Sequence, residues 1–231
     1  MKHKILIAGM FVASLFCSCS DDYLDAPAQS TLDESVIFSS PDLAAGAVDG
    51  IKIPFAETNS YRGRFLPFYG LNTDVEWYNS SQTVSDASDL CTYDAKSNNS
   101  QMNTTNNAWA MMYSGIERAN LCVRGLRTYG NPTPGSDLGY LLGEALTLRA
   151  IYYADLIKAW GDVPYRFEPL TNETLYIGKT SRDEIYKQLL KDLGEAATLV
   201  PWPGETTATS SVERINKAFV KGFRARLAMA A

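Results

Sequence analysis

The sequence predicts an all-α protein, a stack of paired amphipathic helices of the α-solenoid kind with one long irregular segment set into it. Three observations carry this prediction. Apolar residues recur at three-or-four spacing over several long stretches, capping and helix-stopping residues bound those stretches, and the segment Glu57–Asn106 loses the periodicity altogether. Helix pairs of this kind bury their apolar faces against one another, each pair covering the next. With 231 residues and 45% hydrophobic content, the chain is long enough to bury one substantial core.

Met1–Ser18 places Lys2, His3 and Lys4 ahead of the apolar run Ile5–Phe16, with a small residue, Ser18, before Cys19. A basic head and a short apolar core describe an export signal, since a membrane-spanning helix needs about 20 apolar residues. Ser18-Cys19 reads as a lipoprotein processing site with Cys19 as the acylated first residue; Cys17 is the other candidate, disfavoured by bulky Phe16 at the cut. Several acyl chains on one cysteine would anchor the chain stably to a bilayer. Residues 19–39 then read as a tether, and residues 40–231 as the helical domain.

Ser40 and Pro41 form a helix start, and Leu43, Ala44, Ala47, Val48 and Ile51 give that helix one apolar face, with Pro54 expected to end it. From Glu57 to Asn106, Ser, Thr, Asn and Asp are frequent and aromatic residues recur at Tyr61, Phe65, Phe68, Tyr69, Trp77, Tyr78 and Tyr93. So long a segment without regular structure in a helical domain is often functional. Asn106 or Asn107 can cap the next helix, whose buried face reads Trp109, Met112, Tyr113, Ile116, Ala119, Val123 and Leu126. Asn120 lies at the edge of that face and needs partners if buried; a bond from helix to helix or helix to loop is the expectation.

The following stretch, Gly143–Tyr165, is apolar on nearly all sides and predicts a central helix enclosed by neighbours. Gly161 can take the left-handed conformation that stops a helix, and Pro164 cannot continue one. Arg149 lies in the apolar seam between Ala145 and Tyr152, so its guanidinium is expected to be paired. Ser181 and Glu184 form a capping box before Ile185, Tyr186, Leu189, Leu190, Leu193, Ala196, Ala197 and Val200, and Pro201 and Pro203 halt that helix. A last helix from about Glu213 would bury Ile215, Ala218, Phe219, Phe223 and Leu227 and expose Lys217, Lys221 and Arg224.

GEALTLRAIYYADLIKAWGDVPY closely resembles the most recognisable segment of the SusD/RagB family of outer-membrane nutrient-binding lipoproteins, through Gly143, Glu144, Ala145, Leu148, Arg149, Ala150, Tyr153, Leu156 and Trp160–Pro164. AWAMMYSGIERAN and the Ser181–Pro201 helix resemble the family as well, as does DYLDAPAQS after the lipid cysteine. Ser20, Asp21 and Asp22 resemble the surface-export signal of Bacteroidetes lipoproteins, an ordinary tether facing the periplasm being the other reading. The resemblance implies tetratricopeptide-like helix pairs, a glycan or oligosaccharide ligand, and a TonB-dependent, SusC-like outer-membrane transporter as partner. Family members are longer, so the sequence reads as their amino-terminal half, without the second half that supplies part of the glycan surface.

Sugars present flat patches of C–H groups ringed by hydroxyls, so a binder needs aromatic platforms with donors and acceptors at the rim. Trp77, Tyr78, Asn79 and Asp74 cluster in NTDVEWYNSS and are the candidate ligand-binding residues. The alternative is that Trp77 and Tyr78 pack the loop onto the helices. No cofactor, metal site or catalytic group is expected. Removing residues 1–18 takes away His3, the only histidine, which excludes histidine-based catalysis and histidine metal sites. A carboxylate pair from Asp74, Glu76, Asp86 and Asp89 would suit a glycosidase, but nothing fixes their separation. A calcium site at the same acids lacks the D-x-[DN]-x-[DN]-G pattern. Cys91 and Cys122 could pair, although two cysteines do not establish a framework. A formal charge of −5 without a basic stripe argues against a nucleic-acid partner. The function expected is therefore binding, with a scaffold that docks to the transporter or a peptide without touching sugar as the alternative.

Overall fold

The computed structural model describes residues 32–65, 73–76, 99–100, 102, 107–205 and 214–231. The signal segment, Cys19 and Cys91 lie outside the described residues. The helical unit runs from Glu34, so it begins ahead of the Ser40 boundary expected from sequence. Its described helices are α1 (Glu34–Ser39), α2 (Pro41–Ile51), α3 (Ile53–Ala56), α4 (Ala108–Tyr129), α5 (Asp137–Trp160), α6 (Arg182–Leu199) and α7 (Lys217–Ala228). A π-type segment, Thr58–Phe65, follows α3 and is kinked at Ser60. The described residues are all-α, with α4 packed on α5, α5 on α6 and α6 on α7, the sequential stacking of a solenoid.

The central helix is α5. Every residue from Leu141 to Ala150 is buried, because α2, α4 and α6 all pack against it. Ser136 caps its start by accepting from the Gly139 N–H at 3.0 Å, satisfying one of the donors a helix N-terminus leaves free. Gly161 ends it at φ 73°, a conformation that L side chains rarely adopt. Glu144, 3% exposed, is neutralised by Lys52 Nζ at 2.7 Å from Oε1, an ion pair without hydrogen-bond alignment, and by Arg214 Nη1 at 3.1 Å. Those pairs tie α2 and the segment before α7 to the central helix. Ser181 caps α6 through the Glu184 N–H, as the capping box predicts.

Four local expectations are corrected. Glu34–Ser39 is helical and not tether, because Phe38 is an anchor that buries against α4 where Gly125 leaves room for its ring. Pro54 does not end a helix: α2 stops at Ile51, and Pro54 sits buried in the first turn of α3, where its missing N–H costs nothing. Asn107 precedes α4 without a side-chain cap, its amide instead donating to the Ser100 carbonyl. The last helix starts at Lys217, capped by Asn216 accepting from the Phe219 N–H at 3.1 Å, and buries Val220 and Leu227. Ala218 and Phe219 face outward, Phe219 stacked on Phe223 at 6.0 Å.

Candidate functional site

Of the four candidate ligand residues, Asp74 is described and lies exposed in a short turn, while Trp77, Tyr78 and Asn79 lie outside the described residues. Two other aromatics of the irregular segment prove to be core. Tyr61 and Phe65 are buried against Tyr152 and Trp160, and the Tyr61 hydroxyl donates to Asp155 Oδ2 at 2.9 Å. They anchor the root of the segment and cannot face a ligand.

A constructed site lies where the chain leaves α5. Residues Pro164–Lys179 make an excursion closed at its base by an antiparallel bridge between Val163 and Thr180, with the Arg182 N–H donating to Asp162 Oδ1 at 3.0 Å. The first strip of this excursion has no strand partner among the described residues, yet several of its backbone polar groups are hydrogen-bonded, as buried peptide groups usually are. Side chains do the work of a neighbouring strand. Tyr113 donates to the Pro164 carbonyl at 2.7 Å. Tyr153 donates to the Arg166 carbonyl at 2.9 Å and accepts from the Arg166 N–H. Asn120 donates to the carbonyls of Arg166 and Glu168 at 3.2 and 3.0 Å.

Arg149 is the centre of this arrangement. Its Nη1 donates to Asn120 Oδ1 at 3.0 Å and to the Phe167 carbonyl at 2.9 Å, and its Nη2 pairs with Asp192 Oδ2 at 2.7 Å. The guanidinium thus holds α4, α6 and the excursion together from α5, which meets the expectation for both Arg149 and Asn120. Burial pushes the phenols of Tyr113 and Tyr153 above their ordinary value, so both remain neutral donors to the strip.

Aromatic rings continue outward from this node. Tyr153 contacts Tyr165 at 4.6 Å, and Tyr165 contacts Phe167 at 6.0 Å, with Phe167 55% exposed. On the α4 side, Trp109 meets Tyr113 at 5.0 Å and Trp160 at 5.3 Å. Between α4 and the excursion lies a cavity of about 350 Å³ lined by Trp109, Tyr113, Glu117, Arg166, Leu170 and Leu175, with Ile116 and Pro164 behind them. One bond ties the excursion to α4 over the cavity, the Leu170 N–H donating to Glu117 Oε1 at 2.9 Å, and another closes the excursion on itself, Arg166 Nη2 donating to the Leu175 carbonyl at 2.8 Å. Sequence reading singled out neither Glu117 nor Arg166. The available signals were an acid beside buried Ile116 and an arginine just past a helix-stopping Pro164, both common on solvated surfaces.

Cys122 is a buried free thiol among the described residues, and burial pushes its pKa up to about 12.

Comparison with known proteins agrees with the architecture. The chain is 27% identical over 217 residues to SusD-like protein P38 of Formosa agariphila, covering 92% of this chain and 39% of that protein. SusD-like protein P25 of the same organism is 24% identical over 198 residues, covering 84% and 37% respectively. The chain therefore spans well under half the length of these curated relatives. A SusD-like carbohydrate binding protein from Bacteroides fragilis superposes with a TM-score of 0.68 at 19% identity, over 84% of this chain and 38% of that one. A surface glycan-binding protein A from Bacteroides fluxus does so with a TM-score of 0.64 at 20% identity, over 86% and 40%. Residues 22–229 match a family model described as starch-binding, associating with outer membrane, and with that match running through the Arg149 node and the excursion it pins, the chain belongs to the SusD-like family.

Proposed function

We propose that the protein is a lipid-anchored glycan-binding protein of the outer membrane, exposed at the cell surface, which captures glycans or their oligosaccharides and passes them to a TonB-dependent, SusC-like transporter. The family match over residues 22–229, with its starch-binding description, is the observation that carries this reading. Solved relatives described as laminarin binding and as glycan-binding support the ligand class, each over about two-fifths of its own length. Cys19 is the proposed lipid attachment point. Capture is non-covalent: aromatic faces stack on the C–H patches of sugar rings while short polar side chains meet the hydroxyls. Trp77 and Tyr78 are the proposed platforms, with Asn79 and Asp74 at their rim.

Polysaccharide affinity electrophoresis tests this. The protein should be retarded by at least one glycan, and Trp77→Ala should abolish the retardation while leaving the circular dichroism spectrum unchanged. Absence of retardation by every glycan tried, with co-purification of the transporter intact, would favour the scaffold function instead.

A further inference from the structure

The cavity beneath the excursion carries an inference of its own, which rests on the glycan-binding reading. We propose that it is a second saccharide subsite, built from residues other than the Trp77 segment, which holds a neutral pyranose ring.

Two features of the cavity select this ligand. Its walls are mostly apolar: Trp109 and Tyr113 pack on one side, with Leu170 and Leu175, 43% and 42% exposed, on the other. Set into those walls are one cation and one carboxylate, Arg166 and Glu117, which line the same space but do not form an ion pair with each other. Each uses one terminal atom to hold the excursion, Arg166 Nη2 on the Leu175 carbonyl and Glu117 Oε1 on the Leu170 N–H. That leaves Arg166 Nε and Nη1 and Glu117 Oε2 with no hydrogen-bond partner among the described residues.

A guanidinium is only a donor and an ionised carboxylate only an acceptor. A ligand that satisfies both within one small cavity must carry groups that donate and accept, and hydroxyls do both. Vicinal hydroxyls on a ring whose C–H face is apolar match both the rim and the walls. An acyl chain or apolar side chain would match the walls but strip water from both charges without replacing it, which is costly. An anion would satisfy Arg166 and be repelled by Glu117, and a cation the reverse. The volume, about 350 Å³, lies near the lower end of small-molecule sites, which run from about 300 to 1,000 Å³, and suits one or two rings.

The test begins with affinity gels of starch, laminarin, xylan, mannan and pectin, and takes the trisaccharide of whichever polymer retards the full chain. Isothermal titration then compares the wild type with Leu175→Trp, which fills the cavity from an exposed loop position, and with Glu117→Gln. Glutamine can still accept from the Leu170 N–H but lacks the charge. Sodium dodecanoate completes the set. Leu175→Trp should weaken the trisaccharide at least tenfold, and Glu117→Gln about five- to tenfold, since charge-assisted hydrogen bonds are roughly twice as strong as neutral ones. Dodecanoate should not compete. Retardation by a polymer together with trisaccharide affinity unchanged in both cavity variants, or undetectable in the wild type, overturns the subsite and leaves the glycan-binding reading standing. Dodecanoate binding that Leu175→Trp blocks overturns it in favour of an apolar ligand. No retardation of the wild type by any polymer defeats the glycan reading, and the subsite falls with it.

Discussion

Replacing Asp192 with alanine removes the acid paired with Arg149, and the consequence can be worked out from the partners that remain. Arg149 and Asp192 side chains are 3% and 6% exposed, so neither charge has water to fall back on. Asp192 Oδ2 takes Arg149 Nη2 at 2.7 Å and its Oδ1 takes Gln188 Nε2 at 2.8 Å. In Asp192→Ala the guanidinium keeps Asn120 Oδ1 and the Phe167 carbonyl, both neutral, while its Nε already lacks a hydrogen-bond partner among the described residues. A buried charge is left uncompensated, which costs about 3–5 kcal/mol. Arg127→Ala provides the contrast, because its bridge to Glu195 at 2.8 Å joins side chains 47% and 41% exposed, and such pairs contribute about 0–1 kcal/mol. Urea unfolding followed by circular dichroism should therefore show a large fall in midpoint for Asp192→Ala and almost none for Arg127→Ala. Equal effects, or a loss below about 1 kcal/mol for Asp192→Ala, would refute the claim that this node holds the excursion to the helices.

Three further outcomes follow from the packing. Gly125→Ala should destabilise the fold despite alanine's better helix propensity, because a Cβ there would lie 2.1 Å from the Phe38 ring; overpacking costs about 1–3 kcal/mol, and Phe38→Leu in the same chain should recover part of the loss in denaturant titration. Cys122, with its thiol pushed up to about 12 by burial, should resist alkylation in the native protein and react once urea unfolds it, as peptide mass spectrometry would read. Burial raises the Asp155 carboxyl above its ordinary value despite the Tyr61 hydroxyl bonded to it. A raised folded pKa contributes stability at low pH that is lost as pH climbs through it, so Asp155→Asn should gain stability relative to wild type as pH rises from the unfolded carboxylate value, about 3.9, through the raised folded one. A urea midpoint difference independent of pH would contradict that assignment.

Much of the helical frame was legible because it is written in local chemistry. The stop at Gly161, the capping box at Ser181 and the all-round apolarity of α5 are each decided within a turn or two of the residues concerned. The pairing of Arg149 was legible for a different reason: a guanidinium in an apolar seam has no stable alternative. The sequence could not say that its partners are Asp192 and the Phe167 carbonyl, which lie 43 and 18 residues away. That Tyr61 and Phe65 face inward was not legible, because aromatic residues in a polar stretch look alike whether they face inward or outward. The face of α7 was misjudged for a related reason: Phe219 and Val220 are both apolar neighbours, and only packing on α6 decides which one is buried. The excursion with Glu117 and Arg166 was missed because its geometry is made by side chains from two helices and not by any motif within it.

The proposed function requires that the molecule hold a carbohydrate by reversible contact. The most direct measurement is sedimentation of the full chain with insoluble polysaccharides, starch and curdlan first, followed by elution with the matching soluble oligosaccharide. Protein should appear in the pellet for at least one polymer and be released intact by the oligosaccharide. Protein that stays in the supernatant with every polymer, or pellets but ignores the competing oligosaccharide, contradicts the proposed function.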